Sequence, residues 1–168
     1  MSIERDELAT SSNVVEDEKM DLFMANLSGA NLNRANLNRA NLSRANLFKV
    51  DLRLANLQGA NLQGAILTGA DLTEANLYGV DLYEANLYGA AMQRTILERA
   101  ELERANLSRA NLQGAILSKA NLQGAILHGA DLTEANLDKA ILPYGWREAL
   151  QAAGLIPKDD EAAPTATV

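Results

Sequence analysis

Leucine recurs at every fifth residue over most of the chain, from Leu22 to Leu142. Of the 25 positions in this series 24 are Leu, and the exception, Met92, is apolar and of similar volume. The residue two positions earlier is Ala in 21 cases, and the residue directly before is Asn or Asp in 18. The chain is therefore a tandem array of five-residue units, here called pentads, with three constrained and two variable positions.

A period of five excludes a helix. Five residues turn a helix by about 140° beyond one full turn, which would spread the leucines over all of its sides. An extended segment instead places Leu and Ala on one side of the backbone and Asn or Asp on the other. With a corner at the two variable residues, each pentad forms one side of a coil that has Leu and Ala inside.

The pentads at residues 30–34 (ANLNR) and 70–74 (ADLTE) resemble the A-[DN]-L-x-x unit of the pentapeptide-repeat family. The resemblance spans residues 20–142 and suggests a bacterial, in particular cyanobacterial, source. It implies an all-β fold, a right-handed quadrilateral β-helix with four pentads per coil and just over six coils. The interior would be a packed core with no channel, and its representative residues are Leu32, Leu52, Leu72, Met92, Leu112 and Leu132.

Residues outside the pentads predict three further segments. Residues 1–19 form a polar, acidic arm, and residues 156–168 form a disordered tail of small and polar residues with two prolines. Between them, residues 143–155 are rich in helix formers, which predicts a short capping α-helix. Its Trp146 and Leu150 would cover the open edge of the last coil, which otherwise invites pairing with another chain.

The chemistry of catalysis is missing from the sequence. The chain has no cysteine and a single histidine, His128, at an outward-facing variable position. No catalytic Ser/His/Asp set, metal-ligand cluster or phosphate-binding glycine motif can be assembled. We therefore expect no enzyme, no cofactor and no metal. The absence of cysteine, of a secretory signal and of a membrane-spanning apolar run favours a cytoplasmic protein without membrane contact.

The net charge of −7 lies mainly at the two ends of the chain. Residues 20–142 carry 12 Asp and Glu against 11 Lys and Arg, while residues 1–19 carry a net −4 and residues 143–168 a net −2. Fluoroquinolone-resistance members of the family resemble duplex DNA in shape and negative charge and thereby engage type II topoisomerases. A near-neutral coil lacks that field, so a DNA-mimicking modulator of DNA gyrase is only the alternative function.

The leading prediction is a non-enzymatic scaffold that binds an unidentified protein partner. Tyr78, Tyr83 and Tyr88 are successive outward residues on three adjacent sides of one coil, and Phe48 lies two coils below Tyr88. Tyr is enriched at binding surfaces, so these four residues are the candidate partner surface. A basic band near the N-terminal coils is local and interrupted by Asp51, so no nucleic acid is expected. The protein would be a monomer or an end-to-end dimer.

Two local features complete the sequence-based predictions. Residues 90–97 depart from the consensus while keeping the period, which favours a local irregularity or a recombination seam over a functional bulge. Residues 60–77 and 120–137 differ only at Thr68 and His128. The two copies lie 60 residues apart, which is three whole coils. Isoleucines that replace Asn are interpreted as tolerated exposed residues, rather than as a docking stripe.

Overall fold

A computed structural model describes residues 20–152 and 154. Residues 20–142 form the coil, and one helix, α1, follows at Trp146–Ala152. The predicted acidic arm and the predicted disordered tail lie outside the described residues. Within the described part of the chain, no helix is both long and apolar enough to cross a membrane.

The residue before each leucine pairs with the residue twenty positions later. These parallel pairs run without interruption from Asp21 with Asn41 to Asn121 with Ile141. Each is a single β-bridge, and the described residues contain no longer strand. A constant offset of twenty residues means that four pentads make one coil, as the family resemblance implies.

Backbone hydrogen bonds join each coil to the next. The N–H of Leu62 donates to the carbonyl of Asp81 at 2.7 Å, and that of Gly64 donates to Tyr83 at 2.9 Å. A third bond per pentad runs in the opposite direction along the axis, as from the N–H of Ile66 to the carbonyl of Ala45 at 2.9 Å. Within the corner, the N–H of Ala65 donates to the carbonyl of Leu62 at 3.0 Å and closes the turn. Together these bonds satisfy most of the polar backbone groups of the coil.

The second corner residue of every pentad except the last has a left-handed backbone. Fifteen such residues in the coil are not glycine, and their φ angles lie between 51° and 60°. Leu54 is an example, with φ of 59°. An L-residue in this region costs about 1–2 kcal/mol, so packing and hydrogen bonding elsewhere in the coil must offset this strain.

The core is the predicted column of aliphatic side chains, and all six representative core residues named above are buried. Thr95 is the one buried polar residue in this described core, and its hydroxyl donates to the carbonyl of Leu72 at 2.9 Å. On the side of the coil that contains Leu72, the bridges continue through Asp71, Ala91 and Asn111 without a shift. Residues 90–97 therefore contain no bulge and follow the regular coil.

Helix α1 is shorter than the segment for which a helix was predicted. Leu150 is 3% exposed and belongs to the core cluster, and the half-buried Trp146 packs against that cluster. Gly154 has φ of +71° and donates its N–H to the carbonyl of Gln151, which is the geometry expected where a helix ends. The two apolar residues assigned to the cap thus contact the core.

Candidate partner-binding face

Four pentads per coil give the molecule four faces, and residues twenty apart share one face. The first face carries Leu22 and every twentieth residue after it, and the second, third and fourth faces start at Leu27, Leu32 and Leu37. On each face, the residue before leucine and the two residues after it point outward. Every exposed side chain of the coil can therefore be assigned to one face.

The predicted aromatic surface is divided among three faces. Tyr78 lies on the fourth face, Tyr83 on the first and Tyr88 on the second, so one flat partner cannot contact all three. Phe48 and Tyr88 do share the second face, forty residues and hence two coils apart. Only half of the predicted set therefore forms a continuous surface.

An arginine of the next coil covers each tyrosine. The guanidinium lies 5.8–5.9 Å from the ring centroid in all three pairs, a cation–π arrangement. The Tyr83 hydroxyl also accepts a hydrogen bond from Arg104 at 2.9 Å. As a result Tyr78 and Tyr83 are only half exposed. The pairs are Tyr78 with Arg99, Tyr83 with Arg104, and Tyr88 with Arg109.

The near-neutral coil segregates its charges by face. The first face carries five acidic and two basic residues. The third face carries five acidic and three basic residues, and the fourth face carries two acidic and four basic residues. The second face carries no acidic residue and two basic ones, Lys49 and Arg109. Its six pentads are residues 25–29, 45–49, 65–69, 85–89, 105–109 and 125–129.

Three of the five basic residues on the two acidic faces are paired with carboxylates. Arg104 lies 3.2 Å from Glu84, and Arg94 lies 3.8 Å from Glu74, so each pair joins neighbouring coils. On the third face Arg53 hydrogen-bonds Asp51 and contacts it at 2.7 Å, which lowers the pKa of that carboxyl group. These exposed pairs contribute little stability, but they neutralise the cations involved.

Lys49 and Arg109 differ from those three cations because each contacts an aromatic ring and no carboxylate of the described coil. The Lys49 Nζ lies 5.2 Å from the centroid of Phe48, and the Arg109 guanidinium lies 5.8 Å from that of Tyr88. Among the described residues, no carboxylate oxygen lies within 4.0 Å of either cation. Both remain available for an acidic group from outside.

The second face also carries four large exposed apolar side chains spread along its length, whereas the four on the first face lie in its first and last pentads. Phe48 is 40% exposed, Ile66 44%, Tyr88 38% and Ile126 54%. Glycine occupies the second corner position in four of the six pentads on this face, so few corner side chains project next to these apolar residues. The second face is thus flat, partly apolar and free of negative charge, which is the character of a protein-binding patch.

Asparagine side chains hold the second face in place. The Oδ1 of Asn86 accepts the N–H of Tyr88 at 3.1 Å, and Asn46 donates to Asn26 in the coil below at 3.1 Å. These side chains thus both bond the corner of their own pentad and stack between neighbouring coils. Because the backbone beneath Tyr88 is fixed in this way, the face is a rigid surface.

Two other places could hold a site, the single histidine and a depression beside α1. His128 is exposed near the C-terminal end of the second face, and within residues 20–152 no group of three or more His, Asp or Glu could hold a metal ion. An open depression of about 520 Å³ lies where the last pentad meets α1, with Arg147 and Glu148 as its charged groups. Neither feature gathers the groups that acid–base or nucleophilic chemistry needs.

A four-sided coil of five-residue units, with Leu and Ala inside and Asn or Asp bonding the corners, defines a class of repeat protein. The chain matches the family model for pentapeptide repeats, in eight copies, over residues 25–64, 55–94, 85–124 and 105–142. It belongs to the pentapeptide-repeat family. Members of this family are known as right-handed quadrilateral β-helices and are generally structural or interaction proteins.

Several solved structures are similar to the chain. HetL, a pentapeptide repeat protein involved in heterocyst differentiation regulation from the cyanobacterium Nostoc sp. strain PCC 7120, is 36% identical, with 76% of this chain and 72% of HetL covered and a TM-score of 0.31. The pentapeptide repeat protein alr5209 from Nostoc PCC 7120 is 40% identical, and the match covers 61% of this chain and 84% of alr5209 with a TM-score of 0.40. QnrB1, a plasmid-mediated fluoroquinolone resistance protein, is 16% identical, and the match covers 82% of this chain and 89% of QnrB1 with a TM-score of 0.46. A search of curated proteins finds no match.

Proposed function

We propose that the protein is a non-enzymatic scaffold that binds a protein partner through its second face. One observation carries the proposal: this face combines four exposed apolar side chains with the complete absence of acidic residues. The interior is filled with Leu and Ala, so binding has to use the outer surface. A rigid face costs little conformational entropy on binding, which favours association with a partner.

Photo-crosslinking from defined faces tests this function. A photoreactive amino acid replaces Thr68, which lies between Phe48 and Tyr88 on the second face, in cells that naturally make the protein. Matched controls carry it at Gln63 on the first face, Gln113 on the third and Ser118 on the fourth. We expect one partner protein to be captured from position 68 in clear excess over the controls. Equal capture from all four faces, or no capture from any, would contradict the proposal.

Modulation of DNA gyrase is the weaker alternative because the coil is nearly neutral. Its two acidic faces are interrupted by five basic residues, of which Arg53, Arg94 and Arg104 are ion-paired. A surface of this kind provides no continuous row of negative charge to replace DNA phosphates. We expect gyrase supercoiling to be unchanged by a large molar excess of the protein. Strong inhibition or protection of gyrase would restore the alternative.

A further inference from the structure

The two cations of the second face are separated by a defined distance. Lys49 and Arg109 lie sixty residues apart, which is three coils or about 14 Å at the spacing of neighbouring β-strands. Each cation lies over an aromatic ring, and the next coil presents an isoleucine, Ile66 or Ile126. The face therefore presents a cation, an aromatic ring and an isoleucine twice along the axis, with the ring beside Lys49 in the same pentad and the ring under Arg109 in the coil below.

This distance matches an extended peptide. Residues i and i+4 of a β-strand project to the same side and lie about 13 Å apart, with residue i+2 between them. In a helix, about 14 Å corresponds to nine or ten residues, which do not share one face. Of the two regular conformations, the extended one therefore fits both cations through a short segment.

We propose that the second face binds an extended acidic segment of the partner protein, with carboxylates at i and i+4. The two carboxylates lie on Lys49 and Arg109, and an apolar residue at i+2 packs near Thr68 between Ile66 and Tyr88. This inference rests on the proposed scaffold function and specifies the chemistry of its partner. The glycine corners leave the peptide room to approach the face closely.

Basic pairs at the same sixty-residue interval occur on all four faces, so spacing alone does not select the second. The other three faces carry carboxylates, which repel an acidic peptide, and Arg94 and Arg104 are ion-paired. Arg39 and Arg99 of the fourth face have no ion pair with the described residues, but Glu98 and Asp138 add negative charge to that face. The second face is the one face of the described coil that carries no carboxylate. The pairs on the other faces are Arg44/Arg104, Arg34/Arg94 and Arg39/Arg99.

A synthetic peptide of about nine residues provides the probe. It carries glutamate at its third and seventh positions and valine at its fifth, in a serine and threonine background. Titration of the isotope-labelled full chain by NMR should give weak, about millimolar binding, with amide shifts confined to the second face. A control peptide with glutamine at both positions, and another with glutamates at the third and sixth, should bind more weakly.

Paired variants separate the second face from the others. Lys49→Gln with Arg109→Gln should weaken binding of the first peptide about threefold to tenfold, the range expected for two exposed ion pairs. Arg44→Gln with Arg104→Gln removes two charges at the same spacing from the first face and should leave binding unchanged. Equal effects of the two double variants, or equal binding of all three peptides, would overturn the inference.

Other occupants of the face give distinct results. If Lys49→Gln with Arg109→Gln shifts the resonances of residues 1–19 without peptide, the acidic arm of this chain is the occupant. If the same variant abolishes a concentration-dependent mass increase in light scattering, the occupant is a second copy. Either result overturns the proposal. Failure of the peptide to bind, with crosslinking from position 68 intact, overturns this inference and leaves the scaffold function standing.

Discussion

At the residue scale, the side chain before each leucine bonds the corner that follows it. The Oδ1 of Asn111 accepts the N–H of Gln113 at 3.0 Å, and most pentads repeat this contact. Ala91, one coil below Asn111, has no side-chain oxygen for it. Asn and Asp therefore recur at this position because each accepts a hydrogen bond from a corner N–H that has no backbone partner in the coil.

Changing these residues should alter stability in opposite directions. Asn111→Ala removes the bond to Gln113 and should lower the free energy of unfolding by about 1 kcal/mol. Ala91→Asn adds the missing bond on the same side of the coil and should raise it by a similar or smaller amount. Urea unfolding followed by circular dichroism measures both. A neutral result for Asn111→Ala would mean that water replaces the side chain without cost.

The left-handed corners give a second prediction at this scale. Gly79 has φ of +61°, and a Cβ added there would meet nothing within 4 Å. Gly79→Ala should therefore lower the free energy of unfolding by about 1 kcal/mol through backbone strain alone. Leu54→Gly, at a corner with φ of 59°, relieves that strain and should be neutral or stabilising. Thermal unfolding compares them, and equal destabilisation by both would exclude backbone strain as the cause.

At the scale of elements, the period of five fixes more than the side-chain pattern. It predicts the core positions by counting along the chain. The four sides, and the assignment of residues to them, follow only once the family resemblance supplies four pentads per coil. Sorting the residues in steps of twenty would also have revealed that the second face lacks acids. The arginine over each tyrosine could not be predicted, because that contact depends on side-chain conformation and on the axial offset between coils.

Helix α1 gives the prediction that belongs to this scale. Leu150→Ala removes a buried side chain from the C-terminal end of the core, a change that costs about 2–5 kcal/mol in a compact protein. In a coil whose turns contact only their neighbours, the effect should stay local. Hydrogen exchange should rise in residues 122–142 and stay unchanged in residues 62–82. A uniform rise along the coil would show that it unfolds as a single unit.

At the scale of the whole molecule, the coil sets the direction in which each side chain points. Deleting residues 65–69 removes one pentad and turns everything beyond it by a quarter turn, which moves Arg109 to the first face. Deleting residues 65–84 removes one whole coil and keeps Lys49 and Arg109 on the second face, two coils apart. The interior pattern of Leu and Ala survives either deletion.

Both deletion variants should therefore fold, while their peptide binding should differ. The one-pentad deletion should lose binding of the acidic peptide, because its two cations no longer share a face. The one-coil deletion should retain part of the binding, because a single peptide can still contact both cations with altered spacing. Circular dichroism checks folding and the NMR titration checks binding. Undiminished binding after the one-pentad deletion would contradict the face assignment.

The two near-identical segments, residues 60–77 and 120–137, lie sixty residues apart, which is a whole number of coils, and this has an evolutionary consequence. A segment copied at that interval returns each side chain to the side from which it came, so the chemistry of every face is reproduced in phase. A segment copied at an interval of whole pentads but not of whole coils would transfer the surface of one face onto another. Recombination in such a gene can therefore change the reach between two contacts in steps of about 4.8 Å and preserve the direction of both.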